Sequence, residues 1–156
     1  MLNQVKATFE ALRAWAPLPL RLALGVGLIQ HGGIKLFAPG GHANIAHLIA
    51  QLGVPAADVM GWIVGLVEFV GGLGMLVGAS TPLAAGINAL NVAGLLALGA
   101  IRGSIPDPLP GGDPLPGFRE AFLILAGTLT LALGGAGAWS VDEFLARRKS
   151  ARSRLS

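Results

Sequence analysis

Apolar residues run in four long blocks along this chain, at 18–37, 59–78, 82–101 and 118–136. A bilayer-crossing helix needs about 20 mostly apolar residues, and each block supplies them. Polar and helix-breaking residues gather between the blocks. Pro17 stands just before the first and Pro19 in its opening turn, where a proline costs no needed hydrogen bond. His31-Gly32-Gly33 and Pro39-Gly40-Gly41 loosen that block and then end it. Ile45, Leu48, Ile49 and Leu52 then mark one face of a short amphipathic piece, closed by Gly53 and Pro55. Ser80-Thr81-Pro82 predicts a tight hairpin between the second and third blocks, a hydroxyl cap followed by a first-turn proline. The stretch 102–117, rich in Pro, Gly and Asp, reads as an exposed loop. Ahead of the first block, Leu2, Val5, Phe9, Leu12 and Ala16 recur at helical spacing, with Lys6, Glu10 and Arg13 on the other face. This pattern predicts an amphipathic helix lying in the membrane interface, with Trp15 at the level of an aromatic belt.

The predicted fold is therefore all-α: an integral membrane four-helix bundle with short interfacial helices. Three regions follow: an interfacial helix at 1–17, a membrane domain at 18–142 and a basic tail at 143–156. Composition agrees, with 53% hydrophobic and 12% charged residues, against about 25% charged in an average soluble domain. The N-terminal residues lack the apolar core of a secretory signal peptide.

Charge adds a direction. Arg147, Arg148, Lys149, Arg152 and Arg154 crowd the last ten residues, while 38–57 holds no Lys or Arg. A basic cluster directly after a span reads as an orientation signal with anionic-lipid contact rather than as a nucleic-acid site. Both termini are expected in the cytoplasm of a bacterial-type plasma membrane. Cysteine and tyrosine are absent. Disulfides, thiolate-held iron–sulfur clusters, covalent haem and CxxC redox pairs are thereby excluded, so in any redox work the electrons travel on a bound cofactor or in a partner chain.

Few polar residues remain at depth. At ~1.5 Å per residue, Glu68 sits ~15 Å into the second span, near the midplane. His31 and Lys35 lie one turn apart on the first span, Lys35 toward its outer edge. Asn91 falls at mid-depth on the third span, with Asn88 one turn nearer the inner end. Thr128 is at similar depth on the fourth, with Arg119 and Glu120 at its outer mouth. His31, Glu68, Asn91 and Thr128 would thus form a polar layer. A carboxylate at that depth costs several kcal/mol unless paired or protonated. Glu68 is either functional, or a packing group held by a hydrogen bond or by an ion pair with Lys35 or Arg119. His42 and His47 read as solvated loop residues, and no zinc or copper spacing is present. Gly61/Gly65 and Gly74/Gly78, four apart, and the ridge Ala85, Ala89, Ala93, Ala97 predict close helix packing.

Several motifs in register resemble the DoxX family. They are Arg21-Leu-Ala-Leu-Gly25, then His31-Gly32-Gly33-Ile-Lys35-Leu36-Phe37, then Glu68-Phe-Val-Gly71-Gly72, and the closing Gly135-Ala-Gly137-Ala-Trp139-Ser140-Val-Asp142. The resemblance implies a small four-helix membrane protein, some of whose relatives are membrane subunits of a thiosulfate:quinone oxidoreductase. Many members have no assigned activity, so it speaks for architecture more than for chemistry. It implies motif positions at Arg21, Gly71, Gly72, Trp139 and Asp142, with Arg21 and Asp142 able to pair at the inner interface.

The resulting expectation is an integral membrane subunit of a redox complex with no self-contained catalytic motif. A quinone is the implied cofactor, and no haem, iron–sulfur cluster or metal is expected. Glu68 and His31 would move protons, and His31, Lys35, Glu68 and Asn91 would line the cofactor site. A non-catalytic membrane anchor and a small transporter or proton path are the alternatives. The expected partners are the lipid bilayer and a redox subunit or a second copy of the chain, with no nucleic acid.

Overall fold

A computed structural model describes residues 2–102 and 118–153. Seven helices follow in order: α1 Leu2–Trp15, α2 Pro17–Phe37, α3 Gly41–Gln51, α4 Ala57–Val77, α5 Thr81–Ile101, α6 Phe118–Gly134 and α7 Val141–Ser153. No strand occurs among the described residues. The apolar blocks became helices with ends within two residues of those predicted. Three segments are long and apolar enough to cross a membrane: 12–37, 57–77 and 81–101. The fourth block is shorter as a helix. The 17 residues of α6 span about 25 Å, at the lower limit for a crossing. The predicted loop after Arg102 lies outside the described residues from 103 to 117.

Local chemistry sets the helix ends. Pro17 starts α2 and Pro82 sits in the first turn of α5. Gly78 ends α4 in the left-handed region at φ 71°, where a side chain would be strained. There the N–H of Ala79 returns to the Gly74 carbonyl at 2.8 Å, as in a glycine-terminated helix. The basic tail is helical too as far as Ser153, as α7.

Helix α2 packs most extensively on α4, and α5 on α6; weaker α4–α5 and α2–α6 contacts close the ring. Helix α3 lies on α4 and α2, at the end of the bundle opposite the α4–α5 hairpin. Two apolar clusters result. Leu28, Met75, Ala85 and Leu131 fill the hairpin half. Ile45, Leu48 and Ile49 of α3, with Leu52 just after it, pack on Met60, Val64, Leu95 and Leu98 at the other end.

The α2–α4 contact is glycine on backbone. Gly25 and Gly32 of α2 face Gly72 and Gly65 of α4, and a Cβ added at Gly32 would lie 2.5 Å from the Phe69 nitrogen. Around the bundle, large apolar side chains point outward, Leu90 at 76% and Leu133 at 89% exposure. A belt of that kind would drive aggregation in water and suits lipid.

Candidate functional site in the membrane interior

Among the described residues the bundle interior holds one ion pair. Lys35 comes from the last turn of α2 and Glu68 from the middle of α4, and Lys35 Nζ donates to Glu68 Oε2. Both are buried, at 6% and 7% exposure. The pair forms there because Gly65, one turn before Glu68, lets the Lys35 stem lie against α4. Of the two partners open to Glu68 from sequence, Lys35 is the one in place. The Arg119 side chain lies outside what is described.

A cavity of about 50 Å³ adjoins the pair. His31 and Asn91 line it together with Lys35 and Glu68, so four predicted site residues meet in one place. Its apolar walls come from Leu28 of α2, Val64 of α4, Val92 and Leu95 of α5 and Ile124 of α6. Ile45 and Ile49 of α3 contribute too, so the short amphipathic helix covers the polar group from the end opposite the hairpin.

Three expectations need correction. Thr128 is buried but does not line the cavity; its hydroxyl donates to the Ile124 and Leu125 carbonyls of its own helix, at 2.7 and 3.0 Å. Depth alone places it in the layer, whereas a threonine can satisfy itself on the preceding turn. His42 is not simply solvated. Its ring stacks on Trp62 at 4.3 Å, and Nε2 donates to Asp58 Oδ1 at 2.8 Å, fixing the start of α3 to the start of α4. His47 is exposed and meets Gln51 one turn on.

Arg21 and Asp142 form no direct ion pair. Each binds backbone at the hairpin end. Arg21, 2% exposed, donates to the carbonyls of Ala136 and Trp139 at 2.7 and 2.9 Å. These carbonyls converge because Gly135, Trp139 and Gly137 all have positive φ, folding the chain back after α6. The Asp142 carboxylate accepts the N–H groups of Ser80 and Thr81 at 2.7 and 2.9 Å. Ser80 makes no side-chain cap of its own, so a residue of the closing motif caps α5 from a distance. The N–H of Asp142 donates to the Gly78 carbonyl at 2.9 Å. Arg21, Trp139 and Asp142 thus lock the closing motif onto the hairpin. Gly72 packs on the α2 backbone and Gly71 beside the Asn88 amide.

Asn88 is a polar residue whose role the sequence did not disclose. Fully buried, it donates from Nδ2 to the Val67 carbonyl of α4 and the Ala84 carbonyl of α5. Its depth was legible; that it faces another helix's carbonyl was not. Among the described residues no group of three or more His, Asp and Glu side chains could hold a metal ion.

Comparison with known proteins adds three findings. An uncharacterized membrane protein of Mycobacterium tuberculosis, Rv3486, is 28% identical over 138 residues, covering 85% of this chain and 82% of the relative. No solved structure matches significantly. The DoxX family model matches residues 16–100, from the start of α2 to the end of α5 and so across Arg21, His31, Lys35, Glu68 and Asn91. With the match covering more than half of its length, the chain belongs to the DoxX family.

Proposed function

We propose that this protein is the integral membrane subunit of a redox complex, and that Lys35, Glu68, His31 and Asn91 are its proton-handling site. The buried Lys35–Glu68 pair beside a polar-lined cavity carries the reading. Such a pair is a poor way to gain stability, since well-packed apolar residues serve as well or better. Ionisable groups held inside a membrane mark proton or substrate paths by default. Glu68 would take up and release a proton, Lys35 would balance its charge, and His31 and Asn91 would hydrogen-bond what enters the cavity. The family's association with membrane redox proteins supports the setting. Since the chain has no cysteine, its electrons would belong to a cofactor or a partner subunit.

A quinone fits this site in chemistry but not in volume. Lys35 donates, Glu68 accepts, and His31 and Asn91 do either. Yet 50 Å³ is room for a few waters, while sites for ring-sized ligands run to about 300 Å³ or more. A quinone ring would therefore react beside this cavity rather than in it. The site would pass protons to a reaction beside it. The anchor reading has less support, because Gly65 and Gly72 are occupied by α2 and Ala85 and Ala89 are buried in the bundle.

Orientation belongs to the same proposal. The hairpin end would face the cytoplasm of a bacterial-type plasma membrane, because α1, α7 and their cations lie there.

The test is purification in mild detergent, with mass spectrometry of whatever protein and quinone copurify, followed by assay of the isolated complex. A redox-cofactor-bearing partner is expected. Glu68→Gln should keep that partner and lower electron transfer at least about tenfold, as loss of a proton-transfer group does. Isolation without any redox partner, or full activity in Glu68→Gln, would overturn the reading.

A further inference from the structure

Both flanking helices emerge at the hairpin end and are tied to each other. The N–H of Ala138, just before α7, donates to the Ala14 carbonyl near the end of α1 at 2.6 Å. The rings of Trp15 and Trp139 meet with centroids 5.4 Å apart. Asp142 and the Gly78 carbonyl hold the start of α7 against the hairpin. The two helices are therefore parts of one surface, placed by the bundle.

That surface has a graded chemistry. Nearest the bundle it exposes apolar and aromatic side chains: Trp139 at 77%, with Phe144 and Leu145 one turn on and Leu12 on α1. Farther along α7 come Arg147, Arg148, Lys149 and Arg152, all exposed. Glu143 neutralises Arg147 at 2.6 Å. Arg148, Lys149 and Arg152 have no carboxylate partner among the described residues. Arg148 instead lies 4.3 Å over the Phe144 ring, its stem on the apolar root and its charge beyond it.

We propose that α1 and α7 form a single headgroup-binding platform for anionic phospholipids of the leaflet at the hairpin end. Position favours lipid over an acidic protein. Helix α6 ends at Gly134, so Trp139 sits a few residues past the hydrocarbon edge, at the level where tryptophan rings concentrate. Cations on the next turns then reach the phosphate layer, where anionic lipid attracts basic segments near a span. A lipid surface meets both parts of this gradient at once, its acyl boundary beside the exposed Trp139, Phe144 and Leu145 and its phosphates beside the cations. The inference stands on these contacts alone and not on the redox reading.

Because the chain has no cysteine, one reporter can be placed cleanly. Ser150→Cys, on the exposed second half of α7, is labelled with a polarity-sensitive fluorophore. The full chain is reconstituted into nanodiscs of phosphatidylcholine, with or without phosphatidylglycerol. Phosphatidylglycerol should protect the label from the uncharged aqueous quencher acrylamide about threefold or more, and high salt should remove that protection. Replacing Arg148, Lys149 and Arg152 together by Gln should abolish it while leaving the melting temperature in phosphatidylcholine unchanged. Equal quenching in the two lipids, or protection that survives the triple substitution, would overturn the proposal; the basic face would then be open to an acidic protein.

Discussion

Glu68 and Lys35 each answer for the other's burial. A charge left alone in the bundle interior is far costlier than the pair, so single and double substitutions should differ sharply. Glu68→Leu strands Lys35, and Lys35→Met strands Glu68; each should cost about 3 kcal/mol or more. The double variant should return to within about 1 kcal/mol of the parent, since apolar residues of similar volume replace a buried pair at little cost. Unfolding in detergent measures all three. If the singles are harmless, the pair is not formed in the membrane protein. The candidates for this pair were legible in the sequence, because position along a span gives depth and few polar residues occur there. Depth does not give direction around the helix. That is why Thr128 was placed in the polar layer although it bonds to its own helix, and why Asn88 was found without its partner on α4. Arg21 and Asp142 were legible as interface residues, but their backbone partners depend on the left-handed turn at Trp139, which no spacing announces.

Between elements, glycine decides how close α2 and α4 come. An ideal Cβ at Gly32 would lie 2.5 Å from the Phe69 nitrogen and 2.7 Å from the Gly65 carbonyl oxygen. Both are backbone atoms, so neither can swing aside. Gly32→Ala should cost about 1–3 kcal/mol, the usual range for overpacking. Gly27, on the same helix, has nothing within 4 Å of its added Cβ, and Gly27→Ala should stay within about 0.5 kcal/mol. Thermal melting in detergent separates the two, and equal effects would mean that α2 does not press on α4 at Gly32. The elements themselves were readable, since about 20 apolar residues between proline and glycine clusters leave little choice. Their contacts were only partly so. Looking for glycines four apart found Gly61, which receives His42 and Ile45, and Gly65, which receives Lys35 and Leu36. It missed Gly25 with Gly32 and the pairing of Gly65 with Gly72, both seven apart, or two turns. Gly74 and Gly78, also four apart, serve the hairpin instead, Gly78 as the left-handed end of α4.

At the scale of the whole molecule, the contact between Ala14 and Ala138 puts α1 and α7 on one side of the bundle, which requires an even number of crossings between them. Three of those are long enough by the ordinary measure, and on the proposed orientation α6, with its 17 residues, would be the fourth. Charge then chooses the side. Lys6, Arg13, Arg147, Arg148, Lys149 and Arg152 belong to the two tied helices, while 38–57 at the opposite end carries no Lys or Arg. Basic residues close to spans stay in the cytoplasm, so α3 should face outward and cover the Lys35–Glu68 cavity from the external side. Single cysteines in the cysteine-free chain report this directly. A membrane-impermeant thiol reagent should label Ala43→Cys, exposed on α3, in intact cells. Ser150→Cys on α7 should react only after the membrane is opened. The reverse pattern would turn the molecule over and place the proton-handling site under a cytoplasmic cover. Labelling of both positions in intact cells would mean that α6 does not cross, because α7 would then share a side with α3.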